Sequence, residues 1–209
     1  IYAASELRKI DKESKVTILG EEKFHPYERP PLSKEFLINS KKEGEFLFFS
    51  ENFFEEQKIN YIFEKIEKVN FQNKELVSKN NKYIYDKLLI TTGSTNKELQ
   101  INKEIDSKIF YLRSLEDAKK IKNEIQDIKK IVIIGGGFIG LEIASSLNQQ
   151  NKSVTLIEIS QQLMGRIIPA PIANLVKDEH EKYGNKIYLN RKIKNINKVR
   201  DGFEITLDN

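Results

Sequence analysis

Apolar positions in this chain switch repeatedly between a spacing of three to four and a spacing of two, so helices are expected to alternate with strands. Tyr2 to Ile10 carries the helical spacing, and Lys15 to Leu19 is a short apolar run of strand type. Ser50 to Gln57 predicts a short helix. Ile59 to Phe71, Leu76 to Val77 and Tyr83 to Thr91 predict strands, parted by the polar turns FQNKE and KNNK. Asn96 to Ser107 is polar and weakly patterned, and is expected to form part of the passage into a second domain. Ser114 then caps a helix through about Asp127, with Asp117 placed for a capping box. A strand at Lys130 to Ile134, a helix at Phe138 to Gln150 and a strand at Ser153 to Ile157 make a βαβ unit. Beyond it come a helix at Ile172 to Tyr183 and strands near Lys186 to Leu189, Ile193 to Val199 and Phe203 to Leu207. This order predicts an α/β fold with a largely parallel sheet. The chain opens inside a helix and ends on a strand with nothing to cover it, so it is expected to be part of a longer protein.

Composition narrows the picture. The 209 residues can bury one or two cores. A hydrophobic share of 39% with 32% charged residues is that of a globular protein. No apolar run approaches the ~20 residues that cross a bilayer, and IYAASELRK lacks the basic-then-apolar order of a secretory signal. A cytoplasmic location is expected, with no membrane partner. Lys and Arg number 35 against 31 Asp and Glu, for a net charge of +4. Lys, Asn and Ile recur along the whole chain, so this excess reflects composition, and no nucleic-acid partner is expected. There is no cysteine, which excludes dithiol chemistry and thiolate metal sites within these residues. His25 and His180 have no ligand-spaced partners, so no metal is expected; His25 reads as loop packing.

One stretch carries specific chemistry. IVIIGGGFIGLEIASSL sets Gly135, Gly137 and Gly140 in G-x-G-x-x-G spacing between an apolar strand and a helix. The first glycine permits the tight turn, the second lets the backbone approach a pyrophosphate, and the third lets helix and strand pack closely. The helix N-terminus, beginning at Phe138 and Ile139, offers unpaired N–H groups and a positive dipole end to phosphates. Glu158 closes the following strand, where a carboxylate accepts hydrogen bonds from both ribose hydroxyls of an adenosine and repels a 2′-phosphate. Ile159 follows where an arginine would have accommodated that phosphate. The expected ligand is NAD, not NADP.

A second stretch, HPYERPPLSKEFL, is stiffened by Pro26, Pro30 and Pro31, with Arg29 and Lys34 supplying charge beside Tyr27. Alone it reads either as an anion- or ring-binding loop or as an ordinary surface loop.

The order VTILGEE, HPYERPPLSK, YDKLLITTGS, YLRSLEDA and IVIIGGGFIGLEIA resembles the FAD-dependent pyridine-nucleotide reductases of the oxygenase-coupled ferredoxin reductase type. That group includes the putidaredoxin and rhodocoxin reductases and is related to monodehydroascorbate reductase and apoptosis-inducing factor. The likeness spans essentially the whole chain. It implies two Rossmann-like dinucleotide-binding domains of three-layer ββα/αβ form. Residues 1–98 would be a partial FAD-binding domain without its first strand and glycine-rich turn; residues 99–209 would be an NAD-binding domain, truncated at its C-terminus. Glu21 matches the acid that holds the FAD ribose. Arg29, Pro30 and Lys34 match residues beside the FAD pyrophosphate and isoalloxazine. Thr91, Thr92 and Gly93 match a turn that packs on FAD, Arg113 an FAD-contacting arginine, and Ile66 a backbone contact to adenine. Glu142 matches the acid paired with Lys34 near the flavin and the nicotinamide, and these two are the expected catalytic residues.

Where disulfide reductases carry a cysteine pair, and the related peroxidases and oxidases a single cysteine, this chain has HPYERPPLSK. The implied activity is an oxidoreductase that takes hydride from NADH onto FAD and passes single electrons to a ferredoxin-like iron–sulfur protein. The alternatives are a monodehydroascorbate or rubredoxin reductase, and an NADH-sensing flavoprotein of the apoptosis-inducing-factor kind. The isolated chain is expected to bind FAD poorly.

Overall fold

The structure is a computed structural model and describes residues 1–50, 52–99, 105, 108–165 and 167–208. The chain divides into two compact units, one of residues 1–28 and 43–94, the other of residues 29–42 and 95–209. The proline-rich segment after Glu28 thus packs with the second unit, although it precedes most of the first in sequence.

In the first unit, helix α1 (Tyr2–Ile10) leads into strand β1 (Val16–Gly20), which pairs in parallel with β2 (Ile59–Phe63). Arg8 is buried and ties these pieces together. Its guanidinium donates to the carbonyls of Asp11 and Ser14, at 2.9 Å each, and to Gln57 and Lys58, at 2.8 and 3.0 Å. A buried cation with its donors spent on backbone acceptors avoids the cost of an unsatisfied charge. Helix α2 (Phe53–Glu56) is shorter than the span expected from Ser50, and Glu51 lies outside the described residues.

The apolar run from Ile59 to Phe71 is two strands. Strand β2 ends at Phe63, and β3 (Ile66–Asn70) starts an antiparallel meander with β4 (Glu75–Ser78) and β5 (Lys82–Ile84). The break falls at Glu64, whose carboxylate accepts from Ser78 Oγ, Tyr83 Oη and, at 3.1 Å, Asn81 Nδ2. These donors draw the chain out of one ladder and into the next. The expected strand Tyr83 to Thr91 is also shorter, since only residues to Ile84 are laddered. Leu89 and Ile90, 68% and 53% exposed, find no strand partner among the described residues.

In the second unit, α3 (Leu115–Glu124) begins with the expected capping box: Ser114 Oγ accepts from the Asp117 N–H, and the Asp117 carboxylate accepts from the Ser114 N–H. Strand β6 (Lys130–Ile134), helix α4 (Phe138–Gln149) and strand β7 (Ser153–Ile157) form the βαβ unit, and β8 (Lys186–Tyr188) pairs in parallel on the far side of β7. Helix α5 (Ala170–Lys182) starts two residues before the expected Ile172, because Pro169 and Pro171 set its first turn. Strands β9 (Ile193–Val199) and β10 (Gly202–Leu207) form an antiparallel hairpin. The sheets are therefore of two kinds: parallel ones carry the α/β units, and antiparallel ones the meander and the hairpin.

The core of this unit lies between α4 and the parallel sheet, where Ala144, Leu147, Val154, Leu156 and Leu163 are essentially solvent-free. Leu37, 1% exposed, belongs to the same cluster and anchors residues 29–42 there. The expected passage at Asn96 to Ser107 falls partly on residues 100–104, 106 and 107, outside the described residues, as does Asn209 at the end of the chain.

Candidate functional site: a glycine turn, a strand-end carboxylate and an ion pair

The glycine turn joins β6 to α4. Gly135 has φ of +107°, a conformation that side chains disfavour, and its N–H donates to the Ile157 carbonyl at 2.8 Å. Gly137 is the N-cap of α4, and a Cβ there would meet nothing within 4 Å. At Gly140 a Cβ would stand 2.1 Å from the Gly135 carbonyl oxygen, so only glycine lets the helix sit this close to the strand. Gly137, Phe138 and Ile139 are exposed. Helix geometry leaves their amides without intrahelical acceptors, so the turn offers open backbone donors at the positive end of the α4 dipole.

Glu158 follows β7. Its Oε2 accepts from the Gly136 N–H at 2.6 Å and its Oε1 from the Ser160 N–H at 2.7 Å, while its own N–H donates to the Tyr188 carbonyl. Partial burial pushes this carboxyl up, but the backbone donors of Gly136, Ser160 and Ile159 outweigh burial and hold it below its ordinary value. An anion is thus fixed beside the helix N-terminus. Gly136, an unassigned position in the motif's spacing, is constrained as well. A Cβ there would come 2.6 Å from Leu163 Cδ2 and 3.3 Å from the Glu158 side chain. That restriction was invisible in the spacing, because it comes from Leu163.

The proline-rich segment forms a 3₁₀ turn at Pro30–Ser33. It brings Lys34 against Glu142 on α4, with Nζ 2.7 Å from Oε2. The Ser33 hydroxyl donates to the same carboxylate oxygen at 2.5 Å. Lys34 Nζ also donates to the Pro30 carbonyl at 3.1 Å. The Arg29 guanidinium donates to the backbone carbonyl of Arg113, which brings these two expected FAD-site residues together.

In the first unit the expected residues are more scattered. Glu21 follows β1 and pairs with Lys65 at 2.6 Å; both side chains are exposed. Ile66, next to Lys65, opens β3 opposite Ser78. Thr91, Thr92 and Gly93 are exposed and lie outside any ladder, with φ of +69° at Gly93. No described hydrogen bond joins them to Glu21.

His25 stacks on Phe54 with ring centroids 4.7 Å apart, and Tyr61 and Phe63 flank it, as loop packing requires. Among the described residues no cluster of three His, Cys, Asp or Glu could hold a metal ion. None of their helices is long and apolar enough to cross a membrane.

The family described as pyridine nucleotide-disulphide oxidoreductase matches residues 1–209. A 3-phenylpropionate/cinnamic acid dioxygenase ferredoxin–NAD(+) reductase component from Photorhabdus laumondii is 33% identical over 98% of this chain and 52% of its own length. A rubredoxin-NAD(+) reductase from Pseudomonas putida is 33% identical over 97% of this chain and 53% of its own. Among solved structures, a ferredoxin reductase for the CYP199A2 system from Rhodopseudomonas palustris superposes with a TM-score of 0.92 at 27% identity, over 98% of this chain and 51% of that one. The chain spans about half the length of the curated relatives it matches.

Proposed function

The chain belongs to the pyridine nucleotide-disulphide oxidoreductase family, and from that premise we propose that it is the cofactor-binding part of an NADH-dependent, FAD-containing reductase of a ferredoxin-like iron–sulfur protein. The observation that carries this reading is the Glu158 carboxylate, held at 2.6 Å by the Gly136 N–H beside the open turn at Gly137. A fixed anion at that place fits the hydroxyls of an adenosine ribose and rejects a 2′-phosphate. The open space over Gly137 and the free first-turn amides at Phe138 and Ile139 fit a pyrophosphate. In this reading residues 99–209 bind NAD through Gly135, Gly137, Phe138, Ile139, Gly140, Glu142 and Glu158. Residues 1–98 bind FAD through Glu21, Arg29, Pro30, Lys34, Ile66, Thr91, Thr92 and Gly93, with Arg113 from the NAD-binding part. Glu21 fits the FAD ribose for the same reason as Glu158, since each follows a parallel strand.

When bound, NADH supplies a hydride and FAD accepts the electron pair and releases it singly. The chain's own contribution is placement and charge. Arg29 sets a cation beside the pyrophosphate, Arg113 contacts the FAD, the glycine turn excludes side chains from the dinucleotide, and Glu142 holds the Lys34 ammonium. These 209 residues contain no cysteine, which favours a single-electron acceptor over a disulfide. Relatives named as ferredoxin and rubredoxin reductases support the same choice, and the protein works in the cytoplasm.

The test is steady-state turnover of the full-length protein with NADH, a ferredoxin and cytochrome c. Rapid cytochrome reduction that depends on added ferredoxin is expected. Slow turnover with a long-lived reduced complex would favour the NADH-sensing class instead, and turnover with rubredoxin alone would move the acceptor to that protein.

A further inference from the structure

Two buried hydroxyls, Ser33 and Ser146, 4% and 3% exposed, have no part in the function proposed above. The Ser33 hydroxyl reaches Glu142 Oε2 at 2.5 Å, the oxygen that Lys34 Nζ reaches at 2.7 Å. Ser146, one turn further along α4, donates its hydroxyl to the Ser33 carbonyl at 2.7 Å. A hydroxyl has one proton to give. The Pro30 carbonyl, at 3.3 Å from Ser33 Oγ, is the poorer acceptor, and the charge-assisted bond to Glu142 takes it.

The Lys34 and Glu142 side chains are 39% and 33% exposed. An ion pair that open to water is weak and mobile by itself. A cleft of about 300 Å³ beside it, lined by Lys34, Glu35, Ile38, Glu142, Ser145, Ser146 and Gln149, gives solvent further access. The ammonium therefore needs a buried support, and among the described residues Ser33 and Ser146 are the buried polar side chains in contact with the pair and its turn.

We infer that Ser33 and Ser146 are positioning residues for the Lys34–Glu142 pair. Ser146 pins the backbone of the 3₁₀ turn, Ser33 fixes the Glu142 carboxylate, and Glu142 in turn holds the Lys34 ammonium. This inference rests on the role given to Lys34 and Glu142 in the proposed function, and its test separates the two.

Lysine acylation in the full-length protein, followed by mass spectrometry, reads the freedom of Lys34 without any turnover. Lys152, whose Nζ donates to the carbonyls of Gln126 and Ile128 at 3.0 and 2.9 Å, is the internal reference for intact packing of the same unit. With Ser33→Ala, Lys34 is expected to be acylated about fivefold faster relative to Lys152. Flavin reduction by NADH should slow by about the same factor, with KM for NADH nearly unchanged. Ser33→Thr keeps the hydroxyl and is expected to restore both readings, and Ser146→Ala should move them the same way by less. Unchanged acylation of Lys34 in Ser33→Ala overturns the inference. So does a parallel rise at Lys152, which would mean general loosening, or an unchanged rate of flavin reduction. If Glu142→Ala slows reduction and Ser33→Ala does not, the serines lose their role and the ion pair keeps its own. If neither slows it, the reading of the pair itself falls.

Discussion

Two carboxylates close two parallel strands in this chain, Glu21 after β1 and Glu158 after β7, and their surroundings differ. Glu158 is bound by backbone N–H groups of its own unit, from Gly136 on the glycine turn and Ser160 beyond the strand, and stays below its ordinary pKa despite partial burial. Glu21 lies in the open, and its described partner is the side chain of Lys65, itself exposed. The same residue type at the same point of a strand is thus a fixed part in one unit and a loosely held one in the other. The βαβ unit alone places an acid near a ligand; the N–H donors around it decide whether it waits there in one conformation.

The largest effect separating the two regions is expected from alanine at one glycine in each, Gly140 in the glycine motif of the second unit and Gly20 next to Glu21 in the first. Gly140→Ala drives a Cβ to 2.1 Å from the Gly135 carbonyl, which is backbone and cannot swing away. It should cost about 3 kcal/mol or more in urea unfolding. Gly20→Ala, next to Glu21, brings its Cβ nearest to Tyr61 Oη, 2.6 Å away and a side-chain atom rather than backbone, and should cost less than Gly140→Ala, by about 1 kcal/mol or more. Equal losses at the two positions would remove the distinction.

A smaller effect concerns pH. The folded-state pKa of Glu158 is depressed, so its ionised form contributes stability that is fully present above the ordinary glutamate value of about 4.5 and is lost as pH falls through the folded value. Wild type should exceed Glu158→Gln in stability at pH 7, and the gap should close on acidification below pH 4.5. A gap that stays constant down to pH 3 would show that the backbone donors hold the protonated carboxyl as well as the anion. The smallest effect is expected at Lys65→Ala. An ion pair this exposed contributes little, so the melting temperature should not move. A clear drop would make Glu21 as firmly held as Glu158.

Much of this was readable from the residues in order. The glycine turn, Glu158 and the capping box at Ser114 are short-range patterns, and each lies where its spacing puts it. The long apolar run from Ile59 to Phe71 misled, because the break at Glu64 depends on Ser78, Asn81 and Tyr83, which meet it only once the meander is folded. Tyr83 to Thr91 has strand-forming residues throughout, but a strand also needs a partner, and Leu89 and Ile90 have none among the described residues. Gly136 and Ser33 could not be singled out for a related reason. Gly136 is confined by Leu163, and Ser33 is clamped by Ser146, 113 positions away. Patterns within one element were legible, whereas contacts between distant elements became visible only in three dimensions.

The central claim, that Glu158 and the turn at Gly135 to Gly140 present a site for NADH, is tested most directly by anaerobic stopped-flow reduction of the full-length flavoprotein with NADH and with NADPH. At low, equal concentrations NADH should bleach the flavin at least about tenfold faster, and Glu158→Ala should erase most of that preference, as expected for losing charge-assisted hydrogen bonds of about 1.5–3 kcal/mol. Equal rates with the two nucleotides in the wild type, or a preference that survives Glu158→Ala, would contradict it.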